Sequence, residues 1–175
     1  MSKLATVAAL EAPELLAPPV ADALRSWAAA AAVLVAPIDA SLADTAEFCA
    51  AYDVGLDESA NCVVIAGKRD GEVRYAACLI LATTRADVNG VGRRRLDVRK
   101  ASFAPMEAAV SETGMEYGGI TPIGLPKGWP VLIDSRVLAV PSVVIGSGLR
   151  RSKIVLPGAI LADLPGAEII DGLAA

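Results

Sequence analysis

Histidine is absent from this 175-residue sequence. Its absence excludes Ser-His and Cys-His nucleophile pairs and the common metal sites built on imidazole. Any hydrolysis by this protein must therefore run without an imidazole base. We expect neither a metal site nor a cofactor.

Cysteines and long apolar runs are also scarce. The three cysteines, Cys49, Cys62 and Cys78, are odd in number and lack CxxC spacing, which argues against a disulfide framework and a zinc knuckle. No window reaches about 18 consecutive apolar residues without a charge, and the first residues lack the pattern of a signal peptide. We expect reduced thiols, no membrane partner and a cytoplasmic location.

Aromatic residues make up only 4% of a chain that is 54% hydrophobic, so Val, Leu and Ile must supply most of the core. The length favours a single domain over residues 1–175, with residues 1–17 as an N-terminal arm or short helix. A net charge of −4 does not favour nucleic-acid binding through bulk electrostatics. A nucleic-acid partner would have to be held locally.

Strand and helix patterns alternate without a strict βαβ order. Residues 62–66 and 73–81 predict two strands of a hairpin around a glycine-bounded turn at 67–71. Helices are predicted for residues 20–32, from Asp44 or Thr45 to Tyr52, and for residues 102–113, and further strands at 33–35, 131–134, 142–145 and 153–156. Two helices around a basic connection are predicted between 87 and 113. The fold class is therefore α/β, or α+β, with a mixed sheet.

The densest unusual segment is residues 113–124, in which four glycines and a proline fall between a helix and a strand. Glycine lets the backbone approach a ligand closely, and Pro122 restricts the loop. Backbone N–H groups of such a loop can form an anion or oxyanion site. An ordinary glycine-rich turn has the same composition, so both interpretations stay open.

The run Gly-Gly-Ile-Thr-Pro-Ile-Gly at 118–124, followed by Pro-Val-Leu-Ile-Asp at 130–134, resembles the central signature of the YbaK/EbsC and prolyl-tRNA-editing family. Thr45-Ala46 resembles the family's N-terminal element, and residues 96–100 resemble its Asp-plus-Lys helix opening. Gly146-Ser147-Gly148 resembles its late glycine turn. The resemblance runs from about Val20 to Leu173.

The resemblance implies a mixed β-sheet, partly barrel-like and flanked by helices, as in the prolyl-tRNA-synthetase-associated domain. It implies a pocket over the Gly118–Pro122 loop for the aminoacyl-adenosine end of tRNA. The implied activity is trans-acting hydrolysis of the ester of a mischarged tRNA, with a Cys- or Ala-tRNA(Pro)-like substrate. A synthetase is a further candidate partner, and the oligomeric state stays open.

Carried onto this sequence, the resemblance assigns candidate site residues. Those with a catalytic role are Asn61, Gly118, Gly119 and Thr121. Those that bind substrate are Thr45, Lys100, Ile120, Pro122, Gly124, Asp134, Gly146, Ser147 and Gly148. The two basic clusters of the sequence add the candidates for binding tRNA phosphates, which are Arg93, Arg94, Arg95, Arg150 and Arg151.

One position departs from the family pattern, because Asn61 stands where family members place a lysine. Asparagine can orient a carbonyl or hydroxyl but adds no charge. Lys100 is a candidate to supply the cation from another element. The alternative function is therefore a catalytically impaired tRNA- or nucleotide-binding module of the same fold.

The remaining candidates each have a structural interpretation beside the functional one. Residues 93–95, with Arg99 and Lys100, and residues 150–151, with Lys153, either form solvated charged faces or hold acceptor-stem phosphates. Asp134 either caps the turn after its strand or lies at the pocket rim. Cys62 and Cys78 are expected to pack as small hydrophobic side chains.

Overall fold

The computed structural model describes residues 2–175. The helices are α1 (Pro18–Ser26), α2 (Thr45–Tyr52), α3 (Arg93–Leu96), α4 (Met106–Thr113) and α5 (Ser135–Leu138). The strands are β1 (Val7–Ala8), β2 (Leu34–Pro37), β3 (Ala60–Arg69), β4 (Glu72–Leu81), β5 (Ala101–Phe103), β6 (Val131–Asp134), β7 (Val143–Gly146), β8 (Ser152–Leu156) and β9 (Ala167–Ile170). None of the helices within residues 2–175 has the length and apolar character needed to cross a membrane.

The strands form two sheets. One has five strands in the order β5-β3-β4-β6-β9, in which β4, β6 and β9 run parallel and the other neighbours antiparallel. The other has four strands, β1-β2-β8-β7, all antiparallel. The predicted mixed α/β class is confirmed. Within residues 2–175 the two sheets stay open and form no closed barrel, where a partly barrel-like sheet was expected.

The longest paired strands are β3 and β4, which form the predicted hairpin. Arg69 pairs with Glu72, so the turn consists of Asp70 and Gly71 alone, with φ of 52° and 80°. Two consecutive residues with positive φ form the type of turn whose twist matches that of the flanking strands. The strands therefore extend further into the predicted turn, at 67–69, than the sequence pattern indicates.

In the part of the chain that the structure describes, three buried clusters hold these elements together. In the largest, Val20 and Leu24 of α1 share a cluster with Ile133 of β6 and Ile145 of β7. In a smaller one, fully buried Phe48 of α2 lies with Val144 of β7. Burying one such side chain stabilises the fold by about 2 kcal/mol. Phe48 therefore fixes α2 on the four-stranded sheet and, with it, the position of Thr45.

Several predicted elements have different bounds in the structure. Residues 101–103 form a strand, and the predicted helix begins only at Met106, because Pro105 disfavours helical geometry in the residue before it. Its predicted end is confirmed, with Gly114 at a φ of 68°. The helix predicted at 20–32 ends at Ser26 and continues as a 3₁₀ turn. The arm at residues 2–17 contains β1 and two 3₁₀ turns.

Candidate functional site

A cavity of about 270 Å³ lies where α2, β3 and the loop after α4 meet. Thr45 and Asn61 line it from the starts of α2 and β3, and Gly118 and Ile120 line it from the loop. The remaining lining is mostly apolar and comes from Ala43, Ala60, Cys62, Val63, Val64, Phe103, Ala104, Ala109, Tyr117 and Gly146, with Asp44 and Lys153 as charged members. Because pockets for drug-sized ligands start near about 300 Å³, this cavity admits a small group.

The polar pair in this cavity is Thr45 and Asn61. Thr45 Oγ1 donates a hydrogen bond to Asn61 Oδ1 over 2.9 Å. This bond fixes the amide plane and occupies its oxygen. The Asn61 NH₂ group donates to no side chain or backbone group within residues 2–175, so it is the group left to bind a ligand oxygen.

The loop at 118–120 offers backbone donors to the same cavity. The Gly119 N–H closes a turn by donating to the Glu116 carbonyl over 2.9 Å. Within the described chain, the N–H groups of Gly118 and Ile120 have no acceptor. Both residues line the cavity, so their N–H groups are the candidates for stabilising an oxyanion.

Close backbone packing explains the glycines of this loop and of the turn at 146–148. A Cβ added at Gly146 would lie 2.5 Å from the Gly119 carbonyl oxygen, and one at Gly119 would lie 2.7 Å from the Leu149 carbonyl. The Gly148 N–H also donates to the Gly119 carbonyl over 2.7 Å. Any larger residue would force the two segments apart. The glycines therefore fix the position of the loop that lines the cavity.

Lys153 supplies a positive charge to this cavity. Its position on β8 sets its side chain beside Phe48, with Nζ 5.1 Å from the ring centroid, and Nζ donates to the Ala43 carbonyl over 3.3 Å. Burial lowers the pKa of Lys153, and the neighbouring Arg150 acts in the same direction, while Cys49 and Asp44 oppose the shift. The ammonium is thus a partly desolvated cation, held by a carbonyl and an aromatic face.

The thiol of Cys62 is not a competent nucleophile at this site. Burial raises its pKa well above the ordinary range, and nearby Cys78 adds to the effect. Burial likewise raises the pKa of Cys78 to about 12. Only a thiolate attacks a carbonyl efficiently, so chemistry here must use water or a substrate hydroxyl.

The chain matches the model of a known protein family. The aminoacyl-tRNA editing domain family matches residues 39–164, which is more than half of the chain. The chain belongs to this family. The matched range includes every residue that lines the cavity.

Solved structures share the fold. A candidate trans-editing enzyme for prolyl tRNA synthetase superposes with a TM-score of 0.74 at 24% identity, covering 89% of this chain and 94% of that one. A protein studied for epitope backbone grafting by computational design gives 0.75 at 24% identity, covering 89% and 95%. A hypothetical protein gives 0.67 at 21% identity, covering 82% and 90%. At these identities the likeness establishes the editing-domain fold.

The structure brings five of the predicted site residues of this editing domain together. Those that line the small cavity are Thr45, Asn61, Gly118, Ile120 and Gly146. Gly119 and Gly148 pack behind the loop. Thr121 and Ser147 are fully buried: the Ser147 hydroxyl lies 2.7 Å from that of Ser152, and the Thr121 hydroxyl has no partner within residues 2–175. These residues do not line the cavity.

The other predicted substrate-binding residues lie elsewhere. Pro122 and Gly124 line a separate cavity of about 770 Å³. The Asp134 carboxylate caps α5, accepting from the Arg136 N–H over 3.0 Å and from the Ala174 N–H over 3.0 Å. Burial alone would raise the pKa of Asp134, but these hydrogen bonds and the Arg136 guanidinium hold it below its usual range. Its observed contacts are those of a cap.

Lys100 is not among the lining residues of the small cavity. It precedes Ala101, which pairs with Gly67, six residues along β3 from Asn61. Six strand residues span about 20 Å. The structure therefore gives Lys100 no contact with the cavity, which receives its cation from Lys153 instead.

The two basic clusters lie at different places. Arg95 pairs with Glu168 over 2.9 Å, and Arg93 donates to the Asn89 carbonyl over 2.9 Å. Arg150 lies beside the small cavity, where its guanidinium donates to the Tyr117 carbonyl over 3.2 Å. Arg151 donates to the Glu14 carbonyl over 2.6 Å. Arg150 is therefore the member of these clusters that adjoins the site.

The place of Lys153 in the cavity was not predicted, because its sequence neighbours Arg150 and Arg151 group it with a basic cluster. The signal was available in the alternation of Ser-Lys-Ile-Val-Leu at 152–156. Ser152, Ile154 and Leu156 are buried in the core, so Lys153 must face the other side of β8. Only the tertiary structure shows that α2 covers that side.

Proposed function

We propose that this chain is a trans-acting aminoacyl-tRNA deacylase that hydrolyses the ester of a mischarged tRNA. The observation that carries the proposal is the hydrogen-bonded Thr45–Asn61 pair in one small cavity with the N–H groups of Gly118 and Ile120. Membership of the editing-domain family supports the same function. Because charged tRNA is used in the cytoplasm, the proposal includes a cytoplasmic location.

The reaction needs no strong base, because an aminoacyl ester is already an activated acyl group. The Asn61 amide orients the aminoacyl end, and water attacks the ester carbonyl. The Gly118 and Ile120 N–H groups stabilise the oxyanion that forms on the carbonyl oxygen. The carbon–oxygen bond to the ribose then breaks, and a proton from the attacking water passes to the ribose oxygen, directly or through the adjacent ribose hydroxyl. The products are a free amino acid and an intact tRNA.

The cavity supports a small amino acid as the group removed. Its volume is about 270 Å³, and alanine, valine and cysteine side chains form much of its wall. A cavity of this size, with these small side chains in its wall, admits alanine or cysteine. We therefore propose Ala- or Cys-tRNA(Pro)-like substrates, with a prolyl-tRNA synthetase as the enzyme whose errors are corrected.

The alternative function, a binding module without turnover, rests on one observation. Asn61 is uncharged, whereas members of the family that the sequence resembles have a lysine at this position. On this alternative the protein binds the tRNA 3′ end and releases no amino acid. Asn61→Lys would then gain activity that the wild type lacks.

A deacylation assay separates the two functions. Ala-, Cys- and Pro-tRNA(Pro) are incubated with the wild type, with Asn61→Ala and with Asn89→Ala. Asn89 is the matched control, because its side chain accepts a hydrogen bond from Ala101 and does not line the cavity. If the protein is a deacylase, the wild type and the Asn89→Ala control hydrolyse the ester, and Asn61→Ala does not. No hydrolysis by the wild type on any of these substrates, with tRNA binding intact, would establish the binding module.

A further inference from the structure

Lys153 lines the cavity, and no carboxylate forms an ion pair with it within residues 2–175. Within residues 2–175 no carboxylate lies within 4.0 Å of its ammonium, and the Ala43 carbonyl at 3.3 Å is its one hydrogen-bond acceptor. A lysine ammonium has three N–H donors. At least two of them are therefore left for a ligand in a partly desolvated place, where a charge without a partner is costly.

The carboxylates near Lys153 lie against its neighbour Arg150. Arg150 lies close enough to act on the charge of Lys153, and the carboxylate beside both of them is that of Asp44. Asp44 Oδ1 lies 3.7 Å from Arg150 Nη2, so it is already shared with that guanidinium. Glu116 Oε1 likewise accepts from the Arg150 N–H over 2.7 Å. Both carboxylates therefore lie against Arg150, and the Lys153 ammonium is the charge left to attract an anionic group.

The proposed substrate has few groups that could meet this cation. The α-amino group of an aminoacyl ester is itself a cation and is repelled. The nearest anion to the ester is the phosphodiester on the 5′ side of the terminal adenosine. A lysine binds phosphate as a point charge with adaptable donors.

We propose that Lys153 binds the phosphate on the 5′ side of the terminal adenosine, and thereby sets the direction in which the aminoacyl end enters the cavity. This inference rests on the proposed function for the identity of its ligand. It assigns to β8 a substrate-binding residue that the resemblance does not supply. Lys153 in this way provides the charge that Asn61 lacks.

Nucleotide binding tests the proposal without any hydrolysis. The dissociation constants of 5′-AMP and adenosine are measured by NMR titration for the wild type, Lys153→Met, Lys153→Arg and Lys100→Met. We expect the wild type to prefer 5′-AMP by about tenfold or more, the usual size of a charge-assisted hydrogen bond. Lys153→Met should lose that preference, while Lys153→Arg and the exposed-lysine control Lys100→Met should keep it.

The possible results separate this inference from the proposed function. Equal affinity of the wild type for the two ligands, or a preference for 5′-AMP that survives in Lys153→Met, overturns the role of Lys153 even if the protein deacylates tRNA. If Lys153→Met loses the preference for 5′-AMP over adenosine and the other variants keep it, the phosphate site is established. That result would stand even if no aminoacyl ester is hydrolysed.

Discussion

The substitution Asn61→Asp isolates the donor role of the Asn61 amide. Aspartate has nearly the same shape, and its carboxylate can accept the hydrogen bond that Thr45 Oγ1 now donates over 2.9 Å. The free energy of unfolding should therefore change by no more than about 1.5 kcal/mol, the value of one hydrogen bond. The NH₂ group, however, is lost, and a negative charge takes its place beside the developing oxyanion. Losing this orienting donor, together with repulsion of the oxyanion that the Gly118 and Ile120 N–H groups stabilise, should lower kcat by about 100- to 1,000-fold.

Single-turnover deacylation of Ala-tRNA(Pro) measures this effect, with chemical denaturation to measure stability in parallel. Asn89→Asp is the matched control, since it makes the same chemical change away from the cavity. We expect a slow but folded Asn61→Asp protein and an unaffected control. A rate within threefold of the wild type for Asn61→Asp would refute the assigned role of this amide.

Three further predictions concern the support of the site. Asp134→Ala should lower the free energy of unfolding by about 2–4 kcal/mol, because it removes a helix cap and leaves the buried Ala174 N–H unpaired. The pKa of Asp134 is lower in the folded state than in the unfolded state. The stabilisation from Asp134 is therefore complete above the ordinary carboxyl pKa and is lost as the pH falls through the lowered pKa of the folded state. Denaturation curves recorded at a series of pH values measure this loss. Gly146→Ala should lose deacylation and about 1–3 kcal/mol of stability through overpacking, since its Cβ would lie 2.5 Å from the Gly119 carbonyl; unchanged kinetics would contradict this. Lys153→Met should raise the free energy of unfolding at pH 7 by about 1 kcal/mol, because it removes a desolvated charge. With Asp44, Cys49 and Arg150 as its charged or titratable neighbours, the gain should shrink as alkaline pH deprotonates Lys153 in the wild type.

The fold was predictable where a local pattern determines it. The β3–β4 hairpin and the helix end at Gly114 follow from turn residues that tolerate positive φ. The bounds of β5 and α3 were not predictable, because their short segments are ordered by pairing and packing with distant residues. The partition of the strands within residues 2–175 into two sheets likewise depends on long-range pairing that no local pattern encodes.

The site was predictable where backbone requirements constrain the sequence. The glycines at 118, 119, 146 and 148 mark a close approach of two segments, which the structure contains. Its charge was not predictable in the same way. The sequence predicts exposed side chains for both Lys153 and Lys100. They differ because α2 covers β8 and partly buries Lys153. Residue type alone does not indicate which of two lysines is desolvated.

The release of amino acid from mischarged tRNA tests the central claim most directly. Single-turnover deacylation of Ala-tRNA(Pro) and Cys-tRNA(Pro) by the wild-type protein should exceed spontaneous hydrolysis, while Pro-tRNA(Pro) should be spared or hydrolysed much more slowly. Hydrolysis of none of these esters above the spontaneous rate, by a folded protein that binds tRNA, would contradict the assignment of this cavity as a deacylase site.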